Sequence, residues 1–86
     1  MPDALAEILR KAPLSDEKIA FAWRAAVGAA IDRETTIALD KGVLRVRAES
    51  AAWRREVKRS ETLIRARLDA LLGRGVIRSI EIAAET

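Results

Sequence analysis

Arg54, Arg55, Lys58 and Arg59 form two like-charge pairs at i,i+4 spacing, Arg54 with Lys58 and Arg55 with Arg59. On a helix such pairs lie side by side and repel, at a cost of about 0.2–0.5 kcal/mol each. Glu56 and Glu61 offset only part of that repulsion, and Arg65 and Arg67 extend the run one to two turns further. Just upstream, Arg45 and Arg47 alternate with apolar residues, so they share one face of a strand. Folding gains nothing from this crowding, whereas a phosphate backbone does, because each neutralised phosphate releases counterions. The pattern predicts a nucleic-acid contact through Arg45, Arg47, Arg54, Arg55, Lys58, Arg59 and Arg65, with the helix and strand arginines reaching one solvent-facing side. The competing reading is a solvated helix face whose arginine stems cover an apolar edge.

Other chemistry is sparse. The chain has no histidine and no cysteine, which removes the usual general base, the commonest metal ligand and any thiolate or disulfide. Ser15, Ser50, Ser60 and Ser79 therefore have no imidazole to activate them, and three of them stand where helix caps belong. Asp32, Glu34 and Asp40 fall at a helix end, a strand start and a turn, where acids are ordinary solvating residues. Gly73-Arg74-Gly75 is too short to cradle a phosphate and precedes a strand instead of a helix. The expectation is a non-enzymatic protein with no cofactor, no metal and no small-molecule substrate. With Phe21, Trp23 and Trp53 as the sole aromatics, a base-stacking platform is not expected. Both tryptophans lead apolar helical stripes and are read as core, the sharper alternative being a protein-contact anchor.

The elements that would position the basic residues must fit into 86 residues, which implies a single domain over 1–86. Of the 43 hydrophobic residues 17 are alanine, leaving 26 larger side chains for one small two-layer core. The net charge of +3 is unevenly spread. Residues 1–40 hold five Lys/Arg against seven Asp/Glu, and residues 41–86 hold eleven against six. A basic second half suggests that any polyanion contact is confined to it. No apolar stretch approaches the roughly 18 residues of a membrane span. Met1-Pro2-Asp3 is acidic where a signal peptide would be basic, so a cytoplasmic location and no membrane partner are expected.

Periodicity supplies the element order. A first helix is expected over residues 4–11, with Leu5, Ile8, Leu9 and Ala12 on one stripe and Pro13 as its stop. Ser15 caps a second, with Leu14 and Ile19 placed as a hydrophobic staple. Ile19, Trp23, Val27 and Ile31 then face the core, beside Ala22, Ala26 and Ala30. Gly28 falls inside this helix, which a tight contact with another backbone would explain. Phe21 lies off the stripe and either packs on the first helix or is exposed. The period then changes to two: a strand over 35–39, a turn at Asp40-Lys41-Gly42, and a return strand over 43–49 with Leu44, Val46 and Ala48 inward. Ser50 caps a long helix to about Leu72, with Trp53, Val57, Ile64, Leu68 and Leu71 as its stripe and a bend at Ser60-Glu61. A last strand covers 76–82 with Ile80 and Ile82 inward. The fold class is α+β, in the order α-α-β-β-α-(α)-β, a three-stranded sheet with helices packed on one face.

These residues resemble a bacterial family. Trp23-x-x-x-Val27-Gly28-x-x-Ile31 followed by Thr35 is similar to its first signature. Gly42-Val43-Leu44-Arg45-Val46, with Ser50-Ala51-Ala52-Trp53-x-x-Glu56-Val57, is similar to its second, and Val76-x-x-x-Ile80-x-Ile82 to its last strand. Together they resemble the DciA family over roughly residues 5 to 83. The resemblance implies a fold similar to the type II K-homology domain, DNA binding, and action with the hexameric replicative helicase (DnaB) in bacterial chromosome replication. One departure stands out: where K-homology domains carry Gly-x-x-Gly between paired helices, this chain reads Lys58-Arg59-Ser60-Glu61. Arginine contacts, and not backbone gripping, become the expected route to DNA.

The function expected is a DNA-replication accessory module that binds DNA, single- or double-stranded, through the basic helix and hairpin and contacts the replicative helicase. The alternatives are a protein-interaction domain with no nucleic-acid role and a K-homology-like RNA-binding module.

Overall fold

The structure is a computed structural model that describes residues 14–83; the helix expected over residues 4–11 lies outside them. Ser15 opens helix α1 (Asp16–Val27) by accepting a hydrogen bond from the Lys18 amide at 3.1 Å, and Asp16 and Glu17 set negative charge on the positive end of the helix dipole. Ile19, Ala22, Trp23 and Ala26 are buried along one stripe. The helix does not run through Gly28 as the periodicity predicted. Gly28 has φ +89°, which ends α1 and starts a separate short helix, α2 (Ala29–Arg33). A Cβ built there would meet nothing within 4 Å, so the glycine serves its backbone conformation and not a close approach. The break leaves Val27 and Ile31 half-buried against the core and Ala30 exposed. Phe21 is exposed.

Strands β1 (Thr36–Asp40) and β2 (Val43–Arg47) pair antiparallel around the two-residue turn Lys41-Gly42. Both turn residues have positive φ, +51° and +82°, as a tight primed hairpin turn requires. Strand β3 (Ser79–Ala83) pairs parallel to β2, giving a mixed sheet in the order β1-β2-β3. A parallel neighbour needs a long crossover, supplied here by α3 (Ala51–Arg59) and α4 (Glu61–Leu72). The register aligns Ile37, Val46 and Ile82, and Leu39, Leu44 and Ile80, in two rows on the inner face. Leu44 and Val46 are fully buried there, with Val57, Ile64, Leu68, Leu72 and Ile77 covering them from the helical side.

The last strand begins later than the periodicity predicted. Val76 lies in a turn closed by its amide on the Gly73 carbonyl at 3.4 Å, and Ile77 drops into the core instead of entering the sheet. Pairing starts where the amides of Arg78 and Ser79 both reach the Gly42 carbonyl, at 2.7 and 3.2 Å. Trp53 also departs from expectation: it is half-buried and outside the core cluster, while Val57 one turn later makes the core contact of α3. The expected bend at Ser60 is present, but the Ser60 side chain makes no capping bond.

Candidate nucleic-acid interface

The basic cluster resolves into separate roles. Ser50 accepts from the Trp53 amide at 3.4 Å and starts α3, which has no acid in its first turn. Arg54 turns back over this start and donates from Nη1 to the carbonyls of Ala48 and Glu49, both at 2.7 Å. Arg59 pairs with Glu56 three residues earlier. Lys58 and Arg59 occupy the last turn, where positive charge complements the dipole. Arg65 donates from Nη2 to the carbonyl of Arg78 at 2.8 Å, holding the approach to β3, and Arg67 reaches the Ala26 carbonyl at 2.9 Å at the end of α1. Arg54, Arg65 and Arg67 thus satisfy main-chain carbonyls that the sheet and helices leave open.

Arg45 and Arg47 do not join this helix cluster. They alternate with Leu44 and Val46, whose inner face the helices cover, so they project from the opposite face of the sheet. The expectation of a single surface shared by helix and hairpin arginines is therefore not met: a strand's side-chain period of two sends its arginines away from whatever packs on its apolar residues. Arg45 lies between Ala38 and Glu81 in the register, and its Nε is 3.8 Å from Glu81 Oε1. Arg47 lines a hollow of about 600 Å³ with Arg33, where Glu34 and Glu49 balance the charge.

Arg55 and Lys58 remain. Among the described residues neither makes an ion pair or a hydrogen bond. With Arg54 and Ala51 they wall a groove of about 360 Å³ between α3 and β3, whose floor is Ile80 and Ile82 and whose far end is Glu61. Two aliphatic side chains beneath two unpaired cations can take a chain that is negative along one side and apolar along the other. The α3–α4 junction beside it is a single residue, Ser60, whose amide bonds back to Glu56 at 3.2 Å and whose carbonyl accepts from Ile64 at 2.9 Å. No loop exists there to grip a backbone, in keeping with the missing Gly-x-x-Gly. Ile80 and Ile82 face inward and pack against the core, as the period of two predicts; that they also line a groove is not marked in the local sequence and follows from β3 being an edge strand. Among the described residues no group of three or more acids could hold a metal ion, and no helix is long and apolar enough to cross a membrane.

The family described as "Dna[CI] antecedent, DciA" matches residues 1–82. The chain belongs to the DciA family. It is 41% identical over 61 residues to a UPF0232 protein of Mycolicibacterium smegmatis, covering 70% of this chain and 31% of that protein. It is 32% identical over 76 residues to a UPF0232 protein of Mycobacterium leprae, covering 87% of this chain and 40% of the relative. A further M. smegmatis relative, 39% identical over 61 residues, covers 70% of this chain and 31% of its own length and is named for its place in the recF–gyrB intergenic region. The chain thus spans between 31% and 40% of the length of these curated relatives. The DciA chain's helix pair between two parallel strands is compatible with a type II K-homology arrangement.

Proposed function

We infer that this chain is a single-domain, non-enzymatic replication accessory module that binds DNA in the groove between α3 and β3 and contacts the replicative helicase. Membership of the DciA family supports the helicase-directed role. The observation that carries the DNA contact is the pair Arg55 and Lys58, unpartnered among the described residues on the wall of a groove with an aliphatic floor. Cations held without acids beside an apolar surface gain most from a polyanion, because binding releases counterions from the nucleic acid. Arg54 contributes partly, since its guanidinium also holds the start of α3. Arg45, Arg47, Arg59 and Arg65 act at a distance or through structure.

The test is a titration of fluorescent single-stranded and duplex DNA, and of RNA of equal sequence, at several salt concentrations. Two to three phosphates engaged on a single strand give a slope of log K against log salt of about −2. Binding that ignores salt, or none at low salt, sinks the nucleic-acid reading. Tighter binding of the RNA moves the function to RNA. A pull-down with the replicative helicase, run with and without nuclease, tests the second contact: retention after nuclease supports a direct protein interaction.

A further inference from the structure

The β3 edge carries information that the basic side chains do not. The Ser79 amide donates to the Gly42 carbonyl at 3.2 Å, and Ser79 is the register partner of Val43. In a parallel pair, each residue that bonds the neighbouring strand alternates with one whose amide and carbonyl point the other way. Ser79, Glu81 and Ala83 therefore turn their main-chain groups toward β2, and Ile80 and Ile82 turn theirs outward. β3 is an edge of the sheet, and no described residue pairs with its outer side. Ile80 and Ile82 are also the two residues whose side chains floor the groove. One pair of residues, spaced about 6.6 Å apart along the strand, thus presents two donors, two acceptors and two aliphatic side chains to the same opening.

We propose that this edge is a strand-addition site for an extended acidic peptide segment of a protein partner. A peptide lying along β3 pairs its backbone with the outward groups of Ile80 and Ile82. Its alternate side chains enter the groove over the aliphatic floor, where Arg55 and Lys58 meet carboxylates. Main-chain bonds give such a contact its affinity, and the side chains entering the groove give it selectivity. Charge complementarity selects the occupant: the groove wall holds three cations, Arg54, Arg55 and Lys58, against the single acid Glu61. A free edge with an aliphatic face beside it is a surface that proteins ordinarily block. On β3, the one outward-facing charged side chain, Glu81, points to the other face of the sheet, next to Arg45. The proposal shares Arg55 and Lys58 with the DNA reading and adds the main-chain groups of Ile80 and Ile82, which that reading does not need.

The test is hydrogen exchange followed by NMR on the full chain, free and with a synthetic eight-residue peptide alternating valine and glutamate. In the free protein the amides of Ile80 and Ile82 exchange faster than those of Glu81 and Ala83. With the peptide, protection of Ile80 and Ile82 rises by at least about tenfold. The rise is lost with a peptide N-methylated along one edge, and with one alternating valine and lysine. It falls in R55E/K58E, surface changes that leave the fold intact. Failure of the peptide to protect these two amides overturns the proposal. Protection by an oligonucleotide and not by the peptide also overturns it, while leaving the DNA reading standing. Absence of DNA binding by the unaltered chain at low salt, with peptide protection present, sinks the DNA reading alone.

Discussion

Arg54 donates from Nη1 to the carbonyl of Ala48, the last buried residue after β2, at 2.7 Å. The same nitrogen reaches the Glu49 carbonyl at the same distance. One guanidinium therefore closes the connection from the sheet to α3, and the residue that looks most like the head of a DNA-binding cluster is half structural. Arg54→Ala is expected to lower unfolding free energy by about 1–2 kcal/mol, the low end for hydrogen bonds from a charged donor because the site is partly wet. Arg55→Ala, one residue later, is expected to change it by less than about 0.5 kcal/mol. Urea denaturation of the two variants makes the comparison. Equal losses would show that Arg54 has no special hold on this connection.

The separation of the arginines makes a second prediction, on binding. R55E/K58E reverses the groove wall and is expected to weaken DNA binding by at least about tenfold at moderate salt, with the salt slope reduced by about 1 or more. R45E/R47E reverses two charges on the far face of the sheet and is expected to weaken binding much less. Fluorescence anisotropy at matched salt measures both. A larger loss from the hairpin pair would move the contact to the sheet's outer face.

The alternation of β2, the capping serines at 15 and 50 and the break near Ser60 were legible because they are local: period, cap chemistry and charge sit within a few residues of each other. The hairpin turn was legible for the same reason. What local pattern does not contain is which face a partner element takes. Arg45 and Arg55 look alike in sequence, and only the packing of Leu44 and Val46 under the helices sends the first to the opposite side. A glycine within a helical period, such as Gly28, can serve close packing or positive φ, and periodicity does not distinguish them. The strand expected over 76–82 includes Ile77, whereas two glycines at positive φ, Gly73 and Gly75, turn the chain so that Ile77 fills the core first. The apolar stripe predicts Trp53 in the core, but Val57 is the buried residue of α3 and Trp53 stays half-buried.

The two tryptophans give a third prediction. Trp23 is 1% exposed, and its Nε1 donates to Thr35 Oγ at 3.0 Å, while that hydroxyl donates to the Ile31 carbonyl at 2.8 Å. The chain ties α1, α2 and the start of β1 together through two side chains. Thr35→Val is expected to cost about 1–2 kcal/mol, because it leaves the buried indole N–H without its acceptor. In a W53F background the emission of Trp23 is expected to be blue-shifted, and in W23F the half-buried Trp53 emits further to the red. A W23F/T35V cycle with a coupling near zero would show that the hydrogen bond contributes nothing to the fold.

The last prediction separates two glycines that share a conformation and differ in surroundings. Gly28 and Gly42 both have positive φ, +89° and +82°. Gly28→Ala meets open space, so its cost is the conformational one alone, on the order of 1 kcal/mol. At Gly42 a Cβ would stand 2.5 Å from Arg78 Cδ and 2.6 Å from its Cγ, and Gly42 also lends its carbonyl to the amides of Arg78 and Ser79 that begin β3. Gly42→Ala must therefore displace the Arg78 side chain from the turn as well as strain the backbone, and is expected to cost about 1–2 kcal/mol more than Gly28→Ala. In an Arg78→Ala background most of that excess disappears, because the crowding atoms are Cγ and Cδ. If the excess persists in full, the cost lies in the pairing of the hairpin with β3 and not in the arginine stem. Thermal melts of the four variants resolve the two contributions.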